Sequence, residues 1–266
     1  MPGQGASVPV GVGRPGRWRI ATVVDTRWET PRARTLRLDV GDLGGGVAFL
    51  AGQHVLLRLT APDGYTAQRS YSIASAPSPA PAPSSPPATA VPGGSRVVEL
   101  TVERLPGGEV SEFLCDEVRV GDELEVRGPI GRWFVWQGDE PVVCVGGGSG
   151  TVPLMAMLRQ ARAAGRPELV RLLVSARRPE DLYYAGELPG PEVTVVWTRE
   201  APPGTTREPG RLRATDLAAV LGGQGDEGRT VFVCGSPPFC DAVTDLLAGL
   251  GVPATRVRVE RFGPSG

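Results

Sequence analysis

Through the first half of the chain, apolar and polar positions alternate with the period of β-strands; in the second half, strand and helix periods take turns. Between Trp18 and about Val126, short alternating runs predict strands at Ile20–Val24, Thr35–Val40, His54–Thr60, Arg69–Ser75, Val97–Arg104 and Glu123–Arg127. One helix-sized segment, Ser111–Glu117, interrupts them, so the expected unit is a small six-stranded antiparallel barrel. The stretch from Ala76 to Ser95, rich in Pro, Ala and Ser, can neither pack nor pair and reads as an overlong connection between two barrel strands. Residues 1–16 lack periodicity and read as a disordered arm.

After Gly138 the rhythm changes. Strands are expected at Pro141–Val145, Leu169–Ser175, Val193–Trp197, Thr230–Cys234 and Arg256–Phe262, with helices at Thr151–Ala164, around Asp181–Glu187, at Leu212–Leu221 and at Phe239–Leu250. Alternation of this kind builds an α/β unit with a five-stranded parallel sheet covered on both faces. Such sheets bind ligands at the carboxyl ends of their strands, where the chain order reverses. The expected organisation is an arm at 1–16, an all-β barrel at 17–138 and the α/β unit at 139–266.

Composition narrows the chemistry. With 266 residues and 41% hydrophobic content, the chain can build two modest cores. A net charge of −1 supplies no global field for nucleic acid or an anionic membrane. All 28 basic residues are Arg, and the absence of Lys removes Walker-A phosphate binding and Schiff-base chemistry. A single His, His54, leaves little room for a Ser-His-Asp triad, a His-rich metal site or a haem ligand pair. Cys115, Cys144, Cys234 and Cys240 lack the spacing of an iron–sulfur or zinc site. The chemistry then falls to a bound organic cofactor. With neither a signal-like start nor an apolar run of about 18 residues, a cytoplasmic protein with free thiols and no membrane insertion is expected.

The run Gly146–Gly150 follows the first strand of the alternating half directly. Glycines there let backbone amides approach a phosphate, and the next helix offers its positive end to the anion. An ordinary tight turn is the competing reading.

The run Arg69-Ser70-Tyr71-Ser72, preceded by Ala51-Gly52-Gln53-His54, resembles the flavin-binding signature of the ferredoxin–NADP reductase family. The turn Gly107–Ser111, then Gly128-Pro129-Ile130-Gly131, Gly146–Pro153, Cys234-Gly235-Ser236-Pro237 and Glu260-Arg261-Phe262 follow in that family's order. The similarity spans nearly the whole chain from about residue 18 and is greatest to stand-alone bacterial ferredoxin reductases.

The resemblance implies a role for each matched position. Arg69 would pair with the FAD pyrophosphate through its forked guanidinium, with Ser70 beside it. Tyr71 would lie against the isoalloxazine ring, and the Ser72 hydroxyl would reach the nitrogen that accepts a hydride. Gly108, Val110 and Ser111 would bind flavin phosphate through backbone amides. Gly147, Gly148, Ser149, Gly150 and Thr151 would hold the pyrophosphate of NADPH or NADH. Cys234 would sit beside the nicotinamide, with Gly235 and Pro237 shaping the turn, while Glu260 and Phe262 would orient the nicotinamide and cover the flavin. A buried structural role competes at Tyr71, His54 and Cys234. Arg177 and Arg178, with no acid positioned for a bare ribose, favour the extra phosphate of NADPH over NADH; a solvated Arg pair is the alternative.

The implied function is an NAD(P)H-dependent flavin oxidoreductase. Hydride passes between rings aligned at about 3 to 3.5 Å, and single electrons go on to a separate ferredoxin or oxygenase component. Residues 1–40 hold seven Arg against three acids, a surplus that would steer an acidic ferredoxin or merely solvate a strand face. A flavin subunit of a larger dehydrogenase complex and a non-catalytic flavin- or dinucleotide-binding regulatory module remain alternatives. The sequence leaves the oligomeric state open.

Overall fold

The computed structural model describes residues 17–41, 49–77, 97–222 and 228–263. The arm at 1–16 and positions 78–96 of the Pro-rich stretch lie outside the described residues. Six strands form the first sheet: β1 (Arg19–Thr30), β2 (Ala33–Asp39), β3 (His54–Thr60), β4 (Thr66–Ser72), β5 (Val97–Glu103) and β6 (Glu123–Ile130). They run in the order β4-β3-β6-β1-β2-β5, and neighbours are antiparallel. The sheet closes on itself just past β4, where Ile73 bridges Leu100 and the Ala74 amide donates to the Glu99 carbonyl at 2.7 Å. Alternation decides what fills the interior. Val98, Leu100 and Val102 of β5 point inward with Leu36, Leu38, Val55, Leu57 and Val126, and helix α1 (Glu109–Asp116) adds Val110 and Leu114.

The second sheet comprises β7 (Val142–Gly147), β8 (Val170–Ala176), β9 (Val193–Trp197), β10 (Thr230–Gly235) and β11 (Val257–Arg261), parallel in the order β11-β10-β7-β8-β9. From β7 the chain moves outward through β8 and β9, then returns on the other side through β10 to β11. The reversal lies between β7 and β10, so their carboxyl ends border the crevice where such sheets bind ligands. Helices α2 (Thr151–Ala163), α3 (Ala214–Leu221) and α4 (Pro237–Gly249) cover the two faces. Among the described residues no helix is long and apolar enough to cross a membrane.

Helix α2 joins the two halves. Its first eight residues, Thr151–Leu158, are all buried, which one face of a helix cannot achieve against one sheet. The parallel sheet covers one side through Cys144, Leu172 and Phe232; the barrel covers the other through Ala33, Ala51, Ala74, Phe134 and Trp136. Both halves therefore share one apolar cluster.

Most expected elements fall within a few residues of their structural bounds, but the helix expected around Asp181–Glu187 is absent. One 3-10 turn, Pro179–Asp181, is followed by turns, and Tyr184 adopts a left-handed φ of 56°. Its amide donates to the Glu29 carboxylate in β1 at 3.2 Å, rather than up a helix. Burial of Tyr183 and Tyr184 against the barrel overrides the local helical tendency.

Because Leu100 is fully buried at the closure point, Leu100→Ala is expected to cost about 3 kcal/mol in unfolding free energy. Urea denaturation checks this; a loss under about 1 kcal/mol would mean that barrel closure does not depend on this contact.

Candidate active site at the seam of barrel and sheet

The described edge of β4 away from β3 has a partner only beyond its end, at the Ile73–Leu100 bridge. Along this edge residues alternate between two environments. Ala67, Tyr71 and Ile73 pack towards the barrel core, whereas Ser72 and Ala74 turn to the seam. Arg69 and Ser70 are exposed, and the Arg69 guanidinium donates to its neighbour's carbonyl, Gln68 O, at 2.8 Å. Tyr71 is half-buried, and desolvation holds its phenol well above the ordinary range, so it stays neutral.

The amino end of α1 flanks this edge. Tyr65, before β4, donates to the Glu109 carboxylate at 3.5 Å. Gly108 is the N-cap, and the buried Ser111 hydroxyl donates to the Gly108 carbonyl at 3.0 Å while accepting from the Leu105 amide at 3.2 Å. That leaves the Ser111 side chain occupied in shaping the turn. The Gly108 amide, expected to meet a flavin phosphate, instead donates to the Leu105 carbonyl at 2.9 Å, so that role falls to the amides of the first turn of α1.

On the sheet side, Gly148 has a φ of 57°, a conformation that favours glycine, at the bend from β7 into the turn before α2. Gly150 is required for a different reason: a Cβ there would collide with the Cys234 carbonyl at the end of β10. Gly147, Ser149 and Thr151 complete the turn, which is thereby held against Cys234 and Gly235, with Phe239 of α4 against Gly147; Pro237 is the first residue of α4. Cys234 is fully buried, and desolvation followed by the nearby Glu260 charge raises its thiol pKa well above normal. It remains a neutral thiol.

Strand register brings the halves together. His54 pairs with Ser72 across β3 and β4; Glu260 pairs with Cys234 across β10 and β11. His54 Nδ1 and Glu260 Oε1 then stand 4.0 Å apart, one from the barrel and one from the sheet. Burial drives both towards their neutral forms, with the His54 pKa lowered and that of Glu260 pushed up to about 7. Phe262 follows, half-buried against the shared cluster, its amide donating to Gly235 O at 2.8 Å. Two buried oxygens here, Ser72 Oγ and Glu260 Oε2, have no hydrogen-bond partner among the described residues. Orphaned buried acceptors are rare and costly, and a ligand carrying donor and acceptor groups would satisfy both. The amino ends of α1 and α2 and the orphaned oxygens thus fit an FAD and a nicotinamide dinucleotide, although the Gly108 amide donates to Leu105 O and the Thr151 amide to the carbonyls of Gly148 and Ser149.

Arg177 and Arg178 are exposed just past β8, and two acids stand beside Arg178. Arg178 lies 3.6 Å from Glu180 and 3.8 Å from Glu200, because the loop after the neighbouring parallel strand β9 returns alongside. Sequence reasoning also missed the polar cluster of Glu29, Glu99, Thr101, Arg159, Tyr184 and Glu187 at the seam. Its members are scattered over some 160 positions, and the only local hint is the polar outer face of β5. A cavity of about 500 Å³ opens at the opposite, amino end of the sheet near Arg171 and Arg229 and holds none of these residues.

Comparisons with known proteins agree with this geometry. Residues 87–135 match the oxidoreductase FAD-binding domain and residues 144–245 the oxidoreductase NAD-binding domain. Ferredoxin–NADP reductase B of Sorangium cellulosum is 34% identical over 254 residues, covering 91% of this chain and 96% of that protein. The chain belongs to the ferredoxin–NADP reductase family. The propane 2-monooxygenase reductase component of Rhodococcus jostii is 30% identical over 256 residues, but this family member spans only 64% of that protein's length. Among solved structures, the flavohem-like FAD/NAD-binding domain of a Vibrio cholerae nitric oxide dioxygenase superposes with a TM-score of 0.74 at 21% identity, covering 94% of this chain and all of that one. An Amycolatopsis cytochrome P450 reductase gives 0.71 at 26% identity, covering 94% and 71%.

The raised Glu260 pKa has a testable sign. A folded-state value of about 7, above the unfolded 4.5, means that Glu260 is neutral in both states below about pH 4.5; its burial costs stability as pH rises towards and through 7. Glu260→Gln is therefore expected to stabilise the cofactor-free protein at pH 8 by about 1 to 3 kcal/mol and to be neutral at pH 4. Denaturant melts at the two pH values check this, and equal effects at both would show that the carboxylate is not desolvated.

Proposed function

We propose that the protein is an FAD-dependent oxidoreductase that takes hydride from NADPH or NADH and passes electrons singly to a separate ferredoxin or oxygenase component. One observation carries the reading: Ser72 and His54 from the barrel meet Glu260 and Cys234 from the sheet at one seam, with two buried oxygens left for a ligand. Relatives named as reductase components of propane monooxygenase, naphthalene dioxygenase and ketosteroid monooxygenase systems support the acceptor class. The division into a flavin unit at 17–138 and a dinucleotide unit at 139–266 is supported by the gap between the end of β6 at Ile130 and the start of β7 at Val142. A reducing compartment, the cytoplasm, suits four unpaired buried cysteines.

Bound together, the nicotinamide supplies a hydride that the flavin accepts and releases as single electrons. The chain's own task is placement. Arg69 and the amides of Val110 and Ser111 would hold the flavin phosphates, Gly108 shaping the turn before them, with Tyr71 closing the barrel side of the groove. Gly147–Thr151 would bind the dinucleotide pyrophosphate at the positive end of α2. Ser72 would donate its free hydroxyl hydrogen to the ring nitrogen, and Glu260, poised near pH 7, would accept from the carboxamide or hold a proton. Cys234, a neutral buried thiol, offers shape and polarizability rather than a nucleophile. NADPH is the favoured donor because Arg177 is exposed and the longer, solvated contacts of Arg178 can yield to a phosphate.

Purified protein supplemented with FAD is expected to be yellow and to bleach within seconds of anaerobic addition of NADPH or NADH. Yellow protein that neither nucleotide reduces would end the hydride-transfer reading. Arg69→Ala is expected to raise the FAD dissociation constant about 10- to 100-fold. In Cys234→Ala, FAD binding is expected to be unchanged while single-turnover flavin reduction slows; retention of the wild-type rate would remove Cys234 from the reacting centre.

A further inference from the structure

The guanidinium of Arg159 spans the seam away from the cofactor contacts. Its Nη1 donates to the Glu99 carboxylate at 2.7 Å and to the Ala74 carbonyl at 3.0 Å, both in the barrel. Nε and Nη2 donate to the two Glu187 oxygens at 2.9 and 2.6 Å, in the loop after β8. The group is 16% exposed and stacks on the Tyr184 ring, 5.1 Å from its centre. Tyr184 in turn shares a 2.6 Å hydrogen bond with Thr101, which shares one of 2.7 Å with Thr35, whose hydroxyl donates to Glu29. Glu29 also accepts from Arg27 and from the Tyr184 amide, so the bonds close into a ring running from barrel to sheet and back.

Two features of its position matter. Arg159 lies eight residues after Thr151 on α2, about 12 Å along the same rigid helix from the dinucleotide turn. Ala74 lies two residues after Ser72, just past the end of the strand that carries the flavin-site residues. We propose that Arg159 is a positioning residue which fixes the dinucleotide turn against the flavin strand, setting the alignment of the two cofactors without touching either. The forked geometry is essential. A single cation could balance Glu99 and Glu187, but only the planar guanidinium reaches both carboxylates and a main-chain carbonyl in one orientation. Burial opposes the charge on Arg159, yet its hydrogen bonds to Glu187 and the fields of Glu99 and Glu187 outweigh that, and it remains a cation.

The inference rests on the proposed hydride transfer, and the test separates the two. In the FAD-loaded full chain, Arg159→Lys and Arg159→Met are compared with wild type by anaerobic stopped-flow mixing with NADPH and NADH. FAD and dinucleotide dissociation constants are expected within about threefold of wild type. The limiting reduction rate is expected to fall about 10- to 100-fold, in line with a misplacement of about 1 Å, with weaker long-wavelength charge-transfer absorbance and Lys intermediate. Wild-type limiting rates and charge-transfer bands in both variants would overturn the proposal, as would a parallel loss of both affinities with stability. Should Arg159→Met fail to fold, Glu187→Gln removes one arm and is read in the same way. Amide hydrogen exchange at Ile73–Ser75 and Val97–Glu103 is followed alongside. Faster exchange there in Arg159→Lys, with no reduction of wild type, would defeat the function but leave the clamp; unchanged exchange would defeat the clamp alone.

Discussion

Everything in this molecule depends on α2 being buried from two sides. A helix that merely covered a parallel sheet would keep a polar outer face, and the sheet could move as a separate body. Here Thr151–Leu158 surrender that face to Ala51, Ala74, Phe134 and Trp136, and the two halves share a core. The hydrophobic effect favours the union but is non-directional, so it leaves the angle between the halves to other groups. The proposed hydride transfer between two rings would demand that angle, which would make the directional contacts at the seam the ones that matter for chemistry.

Polar groups at the seam fall into two kinds. Around Arg159 they are mutually satisfied: Glu29, Glu99, Glu187, Thr35, Thr101 and Tyr184 each have a partner in the ring of contacts. At the crevice they are not, for Ser72 Oγ and Glu260 Oε2 have no partner among the described residues and the Glu260 carboxyl is driven towards neutrality. A buried unpaired polar group typically costs about 1 to 3 kcal/mol, so structure without ligand carries a local instability that a ligand can relieve. The satisfied cluster holds the frame, and the unsatisfied one marks where the frame is open.

Arg dominates this arrangement because the chain has no Lys and a single His. Arg258 of β11 donates to the Val135 carbonyl at 2.8 Å and stacks on Phe232, tying the sheet edge to the segment that leaves the barrel. Together with Arg159 it spans the join at two separated places, which resists rotation as one contact could not.

The sequence by itself determined the two architectures, because strand and helix periods and turn residues are local properties: the β-strands around His54–Thr60 and Val193–Trp197 match their structural bounds, and the glycine turn at Gly146–Gly150 falls between β7 and α2 as its residues predict. Resemblance to a family then ordered the candidate site residues, from Arg69 to Phe262. Tertiary structure alone decided the rest. Tyr184 leaves a helical path for a left-handed turn because its burial against the barrel outweighs local propensity; Glu200 reaches Arg178 because neighbouring parallel strands end side by side; and Arg159 meets Glu99, and Tyr184 meets Glu29, only when the halves dock. Such contacts join residues tens to more than a hundred positions apart, and no periodicity encodes them, since their energy exists only once the intervening chain has folded.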